Sequence, residues 1–301
     1  MTRRMGGSVL AAISACGLWV AAVPARGAEI VVEKDIVFGT GGGKDLKLNL
    51  ARPEQTNGLV PGIVYLHGGG WIGGDRKLKQ ADIEDAARRG YVAVTVTYRL
   101  SDPDASGKPR NPFPAQIEDV KCAIRWLRAN AAKYHVDPNR IGVTGDSAGG
   151  HLSLLAGVTG SASELEGNGG HPDASSKVQA VVNYFGPTDM ARLHKISKRA
   201  ATVIENVLGG PPEKVPDVYK AASPVTYVAK DDPPILTIHG TADPIVPVEQ
   251  AHEFDEAMKK VGGSHTLMLI QGGQHGFGGE AAKRAREATF KFFDEHLKNK
   301  G

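Results

Sequence analysis

Arg140-Ile141-Gly142-Val143-Thr144-Gly145-Asp146-Ser147-Ala148-Gly149-Gly150-His151 is the stretch around which the rest of the chain is arranged. A short β-type run ends in Gly145-Asp146-Ser147-Ala148-Gly149, a G-x-S-x-G pattern, and an apolar, helix-compatible segment, Leu152-Ser153-Leu154-Leu155-Ala156, follows it. A nucleophile at the tip of a sharp strand–turn–helix sits in strained backbone, so the residues two before and two after it must be small. Gly145 and Gly149 meet that demand and leave Ser147 exposed above the sheet edge. The following helix points its N-terminus, with free N–H groups, at whatever negative charge develops there. The pattern alone does not separate a nucleophile from an ordinary helix-entry serine; its place between a strand and a helix favours the nucleophile.

Outward from this turn, strand-like and helix-like segments alternate. Glu29 to Phe38 and Lys44 to Ala51 alternate apolar and polar residues around Gly39-Thr40-Gly41-Gly42-Gly43, which reads as an antiparallel hairpin. That glycine run lacks the spacing of a phosphate loop and has Asp45 where Ser or Thr would bind magnesium, so it reads as a turn. Gly62 to Leu66, Tyr91 to Tyr98, Val178 to Phe185, Ile235 to His239 and His265 to Ile270 read as strands. Lys79 to Arg89, Phe113 to Ala132, Val248 to Val261 and Glu280 to Lys298 read as helices. Asp189 to Tyr227 is the least regular part and reads as a polar insertion over the sheet. The expected fold is therefore α/β, a mostly parallel sheet with helices on both faces and an antiparallel N-terminal hairpin.

In a parallel sheet, ligands meet the loops at the carboxyl ends of the strands. Gly240-Thr241-Ala242-Asp243-Pro244 follows one strand and Gly272-Gly273-Gln274-His275-Gly276 follows the last. The order Ser147, Asp243, His275 is the one expected on this type of fold. A serine hydroxyl is barely ionised at neutral pH, so it needs an imidazole as base and a carboxylate to fix the imidazole's tautomer. His239 and His151 read as structural. Asp231 and Asp232 precede their strand and lie at its wrong end, and Asp189 reads as a loop-capping carboxylate. His67-Gly68-Gly69-Gly70-Trp71 follows the first apolar strand. Its backbone, with the N–H groups of Gly69 and Gly70 joined by that of Ala148, is expected to form an oxyanion hole. His67 would brace this loop, and Trp71 would form an aromatic wall of the substrate site. No metal site is expected: His252-Glu253 lacks a second histidine four residues after the first, and there is no cysteine pair.

Taken with Tyr98-Arg99-Leu100, Phe113-Pro114-Ala115-Gln116-Ile117-Glu118-Asp119 and Gly273-Gln274-His275-Gly276-Phe277, these motifs resemble the HGGG-bearing branch of the α/β-hydrolase superfamily. The chain is most similar to secreted bacterial esterases of the bifunctional deacetylase/feruloyl-esterase-like family, neighbours of the hormone-sensitive-lipase-like esterases. The likeness covers nearly all of residues 28–301. It implies an α/β-hydrolase fold, a Ser147–His275–Asp243 triad, a Gly69/Gly70/Ala148 oxyanion hole and no cofactor. The segment before the first strand is shorter than the helical cap of hormone-sensitive-lipase-like enzymes, which implies an open site suited to bulky or polymer-borne esters.

Composition agrees with a single enzyme domain. The 301 residues, 41% hydrophobic and 23% charged, suffice for one large core, and no second domain is required. Met1 to Arg4 is a positive segment, Val9 to Val23 is apolar, and Ala25-Arg26-Gly27 offers small residues for cleavage before Ala28. Residues 1–27 thus read as a signal peptide and 28–301 as the mature domain, secreted or periplasmic. Ile13-Ser14-Ala15-Cys16 resembles a lipoprotein box, but the apolar run continues beyond Cys16, which fits soluble export better. Loss of Arg3, Arg4 and Arg26 takes the formal net charge from +3 to 0, so nothing electrostatic points to nucleic acid or an anionic membrane. Cys122 would remain as a lone, buried structural thiol. The expected activity is a serine carboxylesterase acting on short or aromatic acyl esters, free or carbohydrate-borne. An amide-cleaving relative of arylformamidase or peptidase type, or a silent binding module on the same fold, are the alternatives.

Overall fold

The computed structural model describes residues 1–2, 29–160 and 163–298. The expected signal peptide, with Cys16, lies outside the described residues apart from its first two. Eight strands form one sheet: β1 (Ile30–Gly41), β2 (Lys44–Pro53), β3 (Val60–Leu66), β4 (Val92–Val96), β5 (Val136–Asp146), β6 (Ala180–Tyr184), β7 (Ile235–Gly240) and β8 (His265–Ile270). Their order is β1-β2-β4-β3-β5-β6-β7-β8. β1 with β2 and β2 with β4 are antiparallel, and every later pairing is parallel. The apolar run of β3 and the full burial of β4, Thr95 included, are explained by this placement, because a central strand is buried on both faces.

Helices α1 (Gln80–Arg88) and α9 (Gly279–Phe293) cover one face, packing Ile83, Ala86, Ala87, Phe290 and Phe293 onto Ile63, Tyr65 and Val182. The other face carries α2 (Ala115–Ala129), α4 (Ala148–Val158) and α8 (Glu249–Val261), through Ile117, Ile124, Leu152, Leu155, Phe254 and Met258. Between α4 and β6 the described residues form only a short 3-10 turn, Ser163–Leu165. The four-residue α3 (Ala131–Tyr134) follows α2.

Local differences from the sequence reading have physical causes. The turn in the first hairpin is only Gly42-Gly43, since Gly39, Thr40 and Gly41 still pair with Leu46, Asp45 and Lys44. Gly39 is there for packing: a Cβ on it would lie 2.6 Å from Cys122 Sγ and 2.7 Å from the Gly169 carbonyl. Cys122 is a free, buried thiol whose pKa is pushed up by burial. The helix expected from Lys79 begins with a 3-10 turn at Arg76–Lys79, capped by Asp75, which accepts from Lys77 N at 2.9 Å. Residues 189–227 are more helical than expected, forming α5 (Met190–Ile196), α6 (Lys198–Leu208) and α7 (Pro216–Ala221). Asp189 caps α5 by accepting from Arg192 N at 2.8 Å.

Candidate active site

Ser147 sits between the last residue of β5 and the first of α4 with φ 55° and ψ −118°, a conformation that costs a non-glycine residue strain and that clusters at functional turns. Two backbone bonds hold it there: Ser147 N donates to Tyr184 O, and His151 N donates to Ser147 O, both at 2.9 Å. The flanking glycines serve close packing as well as the turn. A Cβ on Gly149 would lie 2.4 Å from Leu66 O, and one on Gly145 would lie 2.5 Å from Gly149 C. Any side chain at either position would push α4 off the end of β3.

The loops after β7 and β8 bring Asp243 and His275 to this serine. His275 Nε2 lies 2.8 Å from Ser147 Oγ, and His275 Nδ1 lies 2.7 Å from Asp243 Oδ2. Asp243 Oδ1 accepts from Ile245 N at 2.8 Å and Val246 N at 2.9 Å, so both carboxylate oxygens are used. Burial pushes this carboxyl up, but the hydrogen bonds from His275, Ile245 and Val246 outweigh it and hold the pKa below the usual carboxylate range. Asp243 thus stays ionised beside the imidazole. A hydroxyl, an imidazole and a carboxylate in this chain can pass a proton from oxygen to nitrogen and stabilise the imidazolium formed.

The other candidates fall elsewhere. His239 is fully buried and bonds Val246 O at 2.8 Å. Its Nε2 is 3.6 Å from Asp243, a neighbour rather than a competitor for the proton. His151 Nε2 donates to Ala222 O at 2.7 Å, and burial lowers its pKa to about 4. Asp232 precedes β7, accepts from Ala229 N and has its pKa raised by burial to about 6.

The glycine loop after β3 runs beside Ser147: a Cβ on Gly68 would lie 3.4 Å from Ser147 Cβ. Gly69 and Gly70 have φ of 122° and 60°, open to glycine and strained for other residues. Among the described residues, no acceptor takes a hydrogen bond from the N–H of Gly69, Gly70 or Ala148. His67 stacks on Tyr98 with centroids 4.3 Å apart and its Nδ1 lies 2.7 Å from Gly68 O. Tyr98 OH donates to His67 O at 2.8 Å, tying the loop down. Trp71 has a structural bond besides its place at the cavity. It reaches the cavity, but it is only 5% exposed and its indole N–H donates to His151 Nδ1 at 3.1 Å. Its bond to His151 braces the loop from behind, and the small exposed part of the ring faces the cavity.

These groups open into a cavity of about 650 Å³. Leu193 of α5 and Ala200 and Val203 of α6 line it, with Ile245 and Val246 from the Asp243 loop. The segment expected to be polar therefore presents apolar side chains here, with Arg199 of α6 as the charged residue it adds to the lining. Two features had no local sequence signal. Phe185, at φ 40°, meets the His275 ring edge to face with centroids 4.8 Å apart. Lys79 Nζ lies 2.5 Å from Asp146 Oδ1, an ion pair beside the nucleophile, off the direction of a good hydrogen bond. Among the described residues, no helix is long and apolar enough to cross a membrane.

Comparison with known proteins gives one family model, BD-FAE, matching residues 48–258. Esterase LipQ of Mycobacterium tuberculosis is 32% identical over 84% of this chain and 59% of its own length. Esterase LipC of the same organism is 34% identical over 75% of this chain and 55% of its own. The chain thus spans a little over half the length of these relatives. Among solved structures, a truncated carbohydrate esterase from gut microbiota superposes with a TM-score of 0.77 at 30% identity, covering 91% of this chain and 98% of that one. A thermophilic esterase from Thermogutta terrifontis, with propionate bound, gives 0.73 at 31% identity over 91% of this chain and 97% of its own.

Proposed function

The chain belongs to the BD-FAE family and has the α/β-hydrolase fold, and from that premise we propose that it is a serine carboxylesterase working through an acyl-enzyme. The observation that carries this reading is the unbroken Ser147–His275–Asp243 hydrogen-bond chain at 2.8 and 2.7 Å. Ser147 Oγ attacks the ester carbonyl while His275 Nε2 takes its proton, and Asp243 stabilises the imidazolium. The N–H groups of Gly69, Gly70 and Ala148 receive the oxyanion, and His275 returns the proton to the departing alkoxide. Water, deprotonated by the same imidazole, then releases the acid from the serine.

The acyl side is assigned to the wall made by Leu193, Ala200, Val203 and Ile245, which suits short or aromatic acyl groups. The carbohydrate esterase and the propionate-bound esterase among the solved neighbours support short esters, carried on carbohydrate. Export under the residue 1–27 leader belongs to the same reading. Purified protein should hydrolyse p-nitrophenyl acetate, and across a chain-length series efficiency should peak at short acyl groups, with product also released from acetylated xylan or methyl ferulate. A peak at twelve or more carbons with nothing from either carbohydrate-type substrate would overturn the substrate assignment. An amide reading has one observation in its favour: arylacetamide deacetylase from Bos taurus is 36% identical over 43% of this chain and 31% of its own length. Turnover of p-nitroacetanilide at a rate rivalling the ester would favour it.

A further inference from the structure

A second cavity, of about 550 Å³, lies against the first and shares Lys79, Asp146, Phe185 and Gly276 with it. It opens between α1 and α9, over Thr144 and Gly145 of β5. Two of the shared residues adjoin His275: Gly276 follows it in the chain, and Phe185 packs on its ring at 4.8 Å. The junction of the cavities is therefore on the histidine's side of Ser147. In acyl transfer the leaving alkoxide takes its proton from the histidine, so the alcohol portion of an ester lies on that side. The aliphatic wall from α5 and α6 belongs to the first cavity alone.

The chemistry of this second cavity is mixed. Phe185 and Phe277 meet edge to face with centroids 5.3 Å apart and give flat apolar surface. Several polar groups are already engaged: Lys79 with Asp146 at 2.5 Å, Arg286 with Asp85 at 2.8 Å, and Tyr184 OH with Thr289 Oγ1 at 2.5 Å. Asp82 is less satisfied. Its ion-pair contact, Lys79 Nζ, is 3.8 Å away, and burial raises its pKa. The Tyr65 hydroxyl makes no hydrogen bond with any described residue, and burial raises its pKa as well. A carboxylate acceptor and a phenol beside aromatic faces suit a neutral polyol, whose hydroxyls bond the polar groups while its C–H face lies on the rings. An alkyl group would leave the polar groups unpaired, and with Lys79 held by Asp146 and Arg286 by Asp85, the remaining Asp82 and Lys283 offset each other and give an ion no net attraction.

We infer that this cavity is the leaving-group subsite and that it takes a polyhydroxylated alcohol, a glycosyl unit, with the Lys79–Asp146 pair as the sill between it and Ser147. The inference rests on the ester-hydrolase reading. Ala282→Phe would fill the cavity from a half-buried position on α9, and Asp82→Asn would remove the acceptor's charge without adding bulk, so the test survives if the first variant fails to fold. The measurement is kcat/KM for p-nitrophenyl acetate and for an acetylated xylo-oligosaccharide, with calorimetric titration of unacetylated xylotriose into each protein. The glycosyl-to-aryl efficiency ratio should fall about tenfold or more in each variant, through KM, and Ala282→Phe should lose the saturable xylotriose heat. Equal changes for both esters, or no xylotriose binding by the wild type, would overturn the subsite and leave ester hydrolysis standing. A wild type that cleaves neither ester would overturn both readings.

Discussion

The two adjoining cavities share a wall but are built from different materials. Around Ser147 the groups set to receive an oxyanion are main chain, in the glycine loop after β3 and the first turn of α4, and the Asp243 carboxylate is saturated by two backbone N–H groups and His275, while Lys79, Asp146 and Arg199 add charged side chains to the lining. Between α1 and α9 it is side chain: Asp82, Lys283, Arg286 and Tyr65. Main-chain groups are fixed by the sheet and cannot be substituted away, which suits a reaction that must be preorganised. Asp82, Lys283 and Arg286 stand on two separate helices and can change without disturbing the sheet, to which only Tyr65 belongs, and this suits discrimination among alcohols. Chemistry and selectivity are thus separable in this molecule, and the following experiments probe that separation.

Ser147→Ala gives the largest expected effect, a loss of roughly 10⁴-fold or more in kcat, by the same factor for aryl and glycosyl esters. His275→Ala should be about as damaging, and the double variant no worse than either single one, because the two act as a unit. Asp243→Asn should be milder by about tenfold or more. Glycosyl-ester turnover that survived Ser147→Ala would mean the second cavity carries chemistry of its own. If Asp232→Asn were worse than Asp243→Asn, the acid would have been misassigned.

Gly70→Ala comes next. The new methyl would be held at φ 60° and 3.2 Å from Val203 Cγ1, so the loop must shift. Displacing an oxyanion donor costs on the order of 10²-fold in kcat, with KM changed much less, again for both ester types. Steady-state kinetics on the two esters would show it. A fall in KM selectivity with kcat intact would place Gly70 in recognition and blur the distinction between the cavities.

What the sequence made legible follows the same division. Ser147, Asp243 and His275 each lie in a loop directly after a strand with a clear apolar run, so local pattern and chain order were enough to bring them together. Gly69 and Gly70 were legible because a loop of consecutive glycines after an apolar strand has few structural uses. Lys79–Asp146 and Phe185–His275 were not legible. Each joins residues far apart in the chain, and neither member sits in a pattern that announces its partner. The Trp71–His151 bond was not legible for the same reason, since it joins residues 80 positions apart. The Asp189 to Tyr227 segment looked polar because its charges are numerous, yet Leu193, Ala200 and Val203 line the cavity beside a single charged residue of that segment, Arg199.

Val203→Ala tests the apolar side on a smaller scale. Removing two methyl groups from the wall above Gly70 should move the optimum in a p-nitrophenyl ester series toward longer chains. The gain should be a few-fold, since a methylene in an apolar pocket is worth about 1–3 kcal/mol at most. The ratio of acetyl-xylo-oligosaccharide to p-nitrophenyl acetate efficiency should stay put. A change in that ratio would show the acyl and alcohol sides to be coupled through Val203.

The smallest effect concerns acid. Three buried histidines back the Ser147 cavity: His67 behind the glycine loop, His151 behind Trp71 and His239 under Asp243. Burial lowers the pKa of each, and for His151 it outweighs the Ala222 carbonyl bond and brings the value from 6.5 to about 4. The unfolded chain therefore binds more protons than the folded one between these limits, so stability rises with pH there. The contribution is fully present above the unfolded value of 6.5 and is lost progressively as pH falls toward 4. For His151 alone the loss between about pH 7 and 5.5 is on the order of 1 kcal/mol. His151→Gln keeps an acceptor for the Trp71 indole and a donor for Ala222 O but cannot titrate. It should be less stable than wild type at pH 7 and show a shallower fall in urea-unfolding free energy over that range. An unchanged slope in the variant would mean that His151 is not held neutral by the fold, and that the acid sensitivity of the Ser147 side comes from His67 and His239 instead.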